Sequence, residues 1–185
     1  MLSLTETLAV ENVVASTSID QELNLERLAA DLDGIQYDPA HFPGLIYRLR
    51  DPKATSLIFR TGKIVCTGAE SEPSVKTAIE YTIDELRALE IAVPDDPTII
   101  VQNIVSTGDL GERLNLNALA VGFGFEQVEY EPEQFLGLVY RLDDPEVVVL
   151  LFGSGKLVIT GGTQPEDAER AITAIHAEIE ELGLL

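Results

Sequence analysis

Apolar residues recur along this chain with two different periods. Between residues 73 and 90 they fall at Val75, Ala78, Ile79, Ile83, Leu86 and Leu89, the three-and-four spacing that lines one stripe of an α-helix. Residues 165–182 repeat that stripe with Ala168, Ala171, Ile172, Ile175, Ile179 and Leu182, and Pro165 suits the first helical turn. A shorter stripe, Leu25, Leu28, Ala29 and Leu32, predicts a helix over 21–32. Strands are predicted at 8–17, 43–50, 54–60 and 63–69, the last two joined by Thr61-Gly62, whose glycine fits a tight hairpin. Four stretches, 56–59, 63–67, 146–152 and 156–160, are apolar on both faces, where a half-buried antiparallel strand would alternate. Helices can cover one face of such strands. The other face is then greasy and unpartnered, unless two sheets pack face to face as a sandwich, a reading the pattern equally allows.

The pattern is written twice. "VENVVAST" (10–17) matches "VQNIVST" (101–107), and "LNLERLA" (23–29) matches "LNLNALA" (114–120), both at an offset of 91. A two-residue insertion near "VGFGFEQ" raises the offset to 93. That offset holds through "YDPAHFPGLIYRL" and "YEPEQFLGLVYRL", and through "LIFRTGKIVCTGA" and "LLFGSGKLVITGG". The link "EIAVPDDPTII" separates a first repeat, 1–92, from a second, 93–185. Two copies imply a pseudo-two-fold pair rather than a solenoid.

Charge complicates this picture. The formal net charge is −20, yet 45% of the residues are apolar, so this is a packed protein with an acidic skin and not a disordered tail. Acids spread along the whole chain suit a surface bathed in multimolar salt, where repulsion is screened within ~3 Å. The sign argues against nucleic acid. The second repeat, however, holds only four bases against 17 acids, a net of −13, compared with −7 for the first. Two of those four, Arg141 and Lys156, recur at the positions of Arg48 and Lys63 beside the apolar strands. Positive charge kept at repeat-equivalent places points to anion contacts around the apolar face.

Candidate chemistry of other kinds is thin. A single cysteine, Cys66, excludes an intrachain disulfide and reads as a small packed hydrophobe. His41 and His176 stand on different elements with no acid or thiol at ligand spacing, so neither metal, cofactor nor enzymatic activity is expected. "GSGK" (153–156) joins strands and lacks the spacing of a phosphate loop. The opening residues show neither a signal peptide nor an anchor, no segment is long enough to span a membrane, and a cytoplasmic location is expected.

The paired motifs "QNIVST", "YEPEQF-GLVYRL-DP" and "LIF-TGK-VCTGA" resemble the TATA-box-binding protein family, general transcription factors of archaea and eukaryotes, over nearly the whole chain. The acidity resembles the halophilic archaeal branch. The resemblance implies an α+β fold: a pseudo-two-fold saddle whose curved, antiparallel, ten-stranded sheet carries four helices on its convex face. The concave face would lie in a widened minor groove of double-stranded TATA-box DNA, this family being itself a known instance of minor-groove kinking.

Residue by residue, the family's intercalating pairs fall on Phe42 with Phe59 and on Phe135 with Phe152. Asn12 and Asn103 match the central minor-groove asparagines, with Thr67 and Thr160 beside them; Val14, Leu57, Val65, Val105, Leu150 and Val158 match the apolar floor. Arg48, Thr61, Lys63, Arg141, Ser154 and Lys156 match phosphate contacts. Glu131 and Glu133 match the stirrup that binds transcription factor B, and RNA polymerase would follow indirectly. Arg60 and Gly153 depart from the family's small polar residue, and Leu136 replaces the proline found at Pro43. Without DNA, the concave face implies a weak homodimer. The competing reading is a duplicated α+β module that binds an apolar ligand or dimerises through its open sheet. For a face held by apolar contact and few ion pairs, DNA affinity is expected to rise or stay flat from low to multimolar potassium.

Overall fold

The computed structural model describes residues 1–185. In chain order it contains β1 (Ala9–Ser18), α1 (Leu25–Asp31), β2 (Ile35–Gln36), β3 (Leu45–Arg50), β4 (Lys53–Ile58), β5 (Lys63–Ala69), α2 (Glu72–Ala88), β6 (Ile100–Asp109), α3 (Leu116–Phe123), β7 (Val128–Glu129), β8 (Leu138–Asp143), β9 (Glu146–Leu151), β10 (Lys156–Gly162) and α4 (Pro165–Glu181). A short 3₁₀ turn, Thr5–Thr7, precedes them. The two compact units are Asn12–Gln102 and Met1–Glu11 with Asn103–Leu185, so each takes in the first residues of a strand that otherwise belongs to the other repeat.

In the unit Asn12–Gln102 the strands run β2-β3-β4-β5-β1, with antiparallel pairing at each step. Burial alternates residue by residue. On β4, Ala54, Ser56 and Ile58 are buried while Thr55 and Leu57 are half-buried; on β5, Ile64 and Cys66 are buried while Val65 and Thr67 are half-buried. The buried set packs beneath α2, whose stripe Val75, Ala78, Ile79, Ile83 and Leu86 is almost wholly excluded from solvent. Ser71 caps that helix by accepting from the Ser74 N–H at 3.2 Å. The apolar runs thus divide into one core face and one open face.

The other unit repeats the arrangement in the order β6-β10-β9-β8-β7. Its core joins Leu138, Val149, Leu151, Leu157 and Ile159 to Ala171, Ile172, Ile175 and Ile179 of α4. The N-terminal residues Leu4 and Leu8 pack onto this core. Thr7 ties them down: its hydroxyl accepts from the Asp109 N–H at 3.0 Å. Val105, Leu150 and Val158 are half-buried rather than enclosed, as Val14, Leu57 and Val65 are in the first unit, so in each unit this face of the strands is left open.

Three local readings need correction. The helix predicted over 21–32 spans only Leu25–Asp31, because the Leu23 N–H is held by the Arg60 carbonyl at 2.8 Å and Asn24 caps the helix, accepting from Arg27 N–H at 3.0 Å. The strand predicted over 54–60 stops at Ile58, where Phe59 and Lys63 close the hairpin. Finally, β2 and β7, two residues each, escaped the periodicity reading altogether.

Candidate nucleic-acid interface

Each unit carries its own half-site on the open face, and the two are alike in detail. In the first, β5 has one residue too many for β1: Val13 pairs with Ala69 but Ala15 pairs with Cys66. The surplus is absorbed at Thr67-Gly68, where Gly68 takes φ +89°. A Cβ there would have room, since its nearest neighbour is 3.8 Å away; only the backbone angle demands glycine. The bulge aims the Gly68 N–H at Asn12 Oδ1, 2.7 Å away. With its oxygen so committed, Asn12 turns its Nδ2 to Thr67 Oγ1 at 3.1 Å and keeps one N–H free. The hydroxyl of Thr67, having accepted that bond, points its own proton at Asn12 Oδ1 only across a long 3.4 Å contact.

The second half-site repeats this. Ile159 pairs with Ser106 and Gly162 with Ile104, and the bulge at Thr160-Gly161 places Gly161 at φ +100°. The Gly161 N–H reaches Asn103 Oδ1 at 2.6 Å, and Asn103 Nδ2 reaches Thr160 Oγ1 at 3.1 Å. Thr160 likewise donates to Asn103 Oδ1 only at 3.3 Å, so both half-sites present one free amide N–H and one hydroxyl held by a long contact, with the amide orientation fixed by the backbone. The resemblance supplied both asparagines and both threonines. The two bulge glycines were missed, though the Thr-Gly pair repeated inside two strands was their signal.

Beside these donors lies the apolar floor, with Leu57 opposite Val65 and Leu150 opposite Val158 across their ladders. At the rim the phenylalanines meet edge to face: Phe42 and Phe59 with ring centroids 5.8 Å apart, Phe135 and Phe152 5.9 Å apart. Each pair leans over a glycine. A Cβ on Gly44 would stand 3.0 Å from Phe42, and one on Gly137 would stand 2.7 Å from Phe135. Phe42 and Phe135 are held by equivalent turns, their N–H groups donating to Asp38 and Glu131 carbonyls at 3.0 and 2.9 Å. Glu131 and Glu133 are exposed on the second turn.

Cations border both half-sites. Arg48 lies in a row with Thr55 and Thr67, and Arg141 in a row with Val148 and Thr160. Arg48 donates to Gln36 Oε1 at 2.9 Å, whereas Arg141 stands 3.9 Å from Glu129. Lys63 and Lys156 are exposed and form no ion pair, while Thr61 and Ser154 accept their N–H groups at 3.4 and 3.3 Å in the hairpin turns. Arg60 is turned away to Glu26 at 2.8 Å, and the guanidinium holds that carboxyl below its usual range. Each histidine does have an acid partner, contrary to the sequence reading: His41 meets Asp38 at 2.7 Å and His176 meets Glu180 at 3.6 Å. Cys66 is buried among the core residues, which pushes its thiol pKa up. No helix is long and apolar enough to cross a membrane.

Comparison with known proteins gives this geometry a family. The family model "Transcription factor TFIID (or TATA-binding protein, TBP)" matches twice, over residues 7–89 and 98–182. The chain is 64% identical over 180 residues to TATA-box-binding protein E of Halobacterium salinarum, covering 97% of both chains. It is 60% identical to the TATA-box-binding protein of Haloarcula marismortui over the full length of each. The solved structure of Methanococcus jannaschii TBP superposes with a TM-score of 0.83 at 50% identity, covering 94% of this chain and 98% of that one. The α+β fold expected from the repeated motifs is that of this structure, and the chain belongs to the TATA-binding protein family.

Proposed function

We propose that the protein is a general transcription initiation factor that binds TATA-box DNA through the minor groove and bends it, the repeats 1–92 and 93–185 each supplying one half-site. The observation that carries this reading is the twice-built set of an oriented asparagine and threonine, an apolar floor and a phenylalanine pair. Minor-groove A·T pairs offer only acceptors, A N3 and T O2, which suit the free N–H of Asn12 and Asn103 and the O–H of Thr67 and Thr160, each held within the protein only by a long contact. A guanine amino group would meet donors and an apolar floor made by Val14, Leu57, Val65, Val105, Leu150 and Val158, and would go unsatisfied. Phe42 with Phe59, and Phe135 with Phe152, act as wedges at base steps. Arg48, Thr61, Lys63, Arg141, Ser154 and Lys156 hold phosphates.

The energetics favour apolar contact. An interface of roughly 1,500 Å², about half apolar, yields about 20 kcal/mol gross at ~25 cal/mol/Å². Unstacking costs a few kcal/mol per step, and ordering and DNA deformation absorb much of the rest. Exposed Glu131 and Glu133 suit a basic surface on transcription factor B, through which RNA polymerase is recruited. Without DNA, the open apolar face supports weak self-association.

The test is a bending assay on TATA-containing duplex in multimolar potassium, with Phe42→Ala and Phe152→Ala. Sharp bending that both substitutions abolish is expected. A stable dimer that leaves DNA straight would refute the reading in favour of a duplicated module with another ligand.

A further inference from the structure

The hairpins that join β3 to β4 and β8 to β9 are superposable in register and opposite in charge. Arg50 stands directly across from Lys53 in the first, and Asp143 directly across from Glu146 in the second. Alternation puts all four on the open face: Arg50 follows Ile46 and Arg48, Lys53 precedes Thr55 and Leu57, and the second repeat does the same from Val139 and Arg141 to Val148 and Leu150. All four are exposed and none enters an ion pair. Like charges facing each other across a ladder destabilise it; Asp51, in the turn between Arg50 and Lys53, enters no ion pair with either and leaves the first tip with a net charge of one positive. The neighbouring Asp144 shows what relief looks like, since it is held by Arg170 of α4.

We propose that the Arg50–Lys53 tip is a further phosphate-binding site, and that its reversed counterpart, Asp143–Glu146, rejects bare phosphate. The two ends of one DNA site are then gripped unequally, and the protein orients itself by backbone charge. This rests on the DNA-binding reading above. The first half-site has Arg48, Arg50, Lys53 and Lys63 around it. The second has Arg141 and Lys156 opposed by two carboxylates. Counterions released at the first rim make affinity fall with salt, while repulsion at the second rim is relieved by salt, so a nearly flat overall dependence is the sum of two opposed ends.

Titration of TATA duplex in potassium chloride tests this with wild type, Arg50→Asp/Lys53→Glu and Asp143→Arg/Glu146→Lys. Each phosphate contact contributes about −0.9 to the slope of log affinity against log salt, so from a nearly flat wild type the first variant's slope should rise by ~2, affinity increasing with salt, and the second's should fall by ~2, or about 10-fold per fourfold change in salt. Urea midpoints report folding of both variants, and the opposite signs expected keep misfolding from mimicking the result. Orientation is read with a chemical nuclease on Glu133→Cys, Cys66 being buried, using a duplex whose phosphates are methylphosphonates at one end. Cleavage should concentrate at the neutralised end. Unchanged slopes, or equal cleavage at both ends while wild type still bends the duplex, would overturn this inference alone. Failure of wild type to bend the unmodified duplex would overturn the DNA-binding reading and this with it.

Discussion

Asn12→Asp is the sharpest perturbation of the half-site, because it preserves shape and reverses hydrogen-bonding sense. One carboxylate oxygen replaces Asn12 Oδ1, which in the wild type accepts the Gly68 N–H at 2.7 Å, and can still accept it, so the bulge keeps its partner. The other replaces the Nδ2 that sits 3.1 Å from Thr67 Oγ1. The Thr67 proton, which the wild type holds only by a 3.4 Å contact, is then fixed on that nearer oxygen, and the half-site loses both donors to the groove at once. At about 1 kcal/mol for each lost hydrogen bond, the loss is ~2 kcal/mol, or roughly 30-fold in affinity, before repulsion between the carboxylate and the groove acceptors is added. Thr67→Val removes one donor, about 1 kcal/mol or ~5-fold. Fluorescence anisotropy on TATA duplex measures both, and urea unfolding should find the Asn12→Asp midpoint little changed. The reasoning is refuted if Asn12→Asp binds within threefold of wild type, or if Thr67→Val is the more damaging of the two.

Three other outcomes follow from the same structure. Duplex carrying inosine·cytosine in place of central A·T pairs, which presents no amino group to the minor groove, should bind nearly as wild-type sequence does, whereas G·C at those positions should cost about 1–3 kcal/mol each in competition assays. In the first core, Ser56 Oγ lies 2.7 Å from Thr82 Oγ1, which also donates to the Ala78 carbonyl at 2.9 Å, while Val149 and Ile175 occupy the equivalent places of the second. Thr82→Val strands the Ser56 hydroxyl and should cost about 1–3 kcal/mol, Ser56→Ala about 1, and the double variant less than their sum, read from urea midpoints; strict additivity would contradict it. Burial pushes the Tyr47 hydroxyl pKa up to about 12 from the ordinary 10.0, so stability present below pH 10 should be lost as pH rises towards 12, and absorbance of tyrosinate should lag accordingly.

What could be read from the sequence was whatever is repeated or periodic. The helical stripes of α2 and α4 sit where the three-and-four spacing put them, since burying one stripe against a sheet is a local rule applied to contiguous residues. The Phe pairs came from the family resemblance that the twice-written motifs carry. The helix α1 was read too long because the contact that ends it, Leu23 N–H to the Arg60 carbonyl, spans a hairpin that no window along the chain includes. Two-residue strands such as β2 have no period to detect. The orientation of Asn12 depends on a residue 56 positions away, and on a backbone angle that a Thr-Gly pair permits without announcing. Charge at the hairpin tips shows the same limit from the other side. The residues Arg50, Lys53, Asp143 and Glu146 were always visible, but only the ladder register shows that like faces like, and that the repeat has been inverted rather than merely made more acidic. An acidic surface spread at random would have neutralised such tips. A net positive tip on one half-site and a wholly negative one on the other set two otherwise matching half-sites apart at their hairpins, where a ligand of uniform charge would feel the difference most.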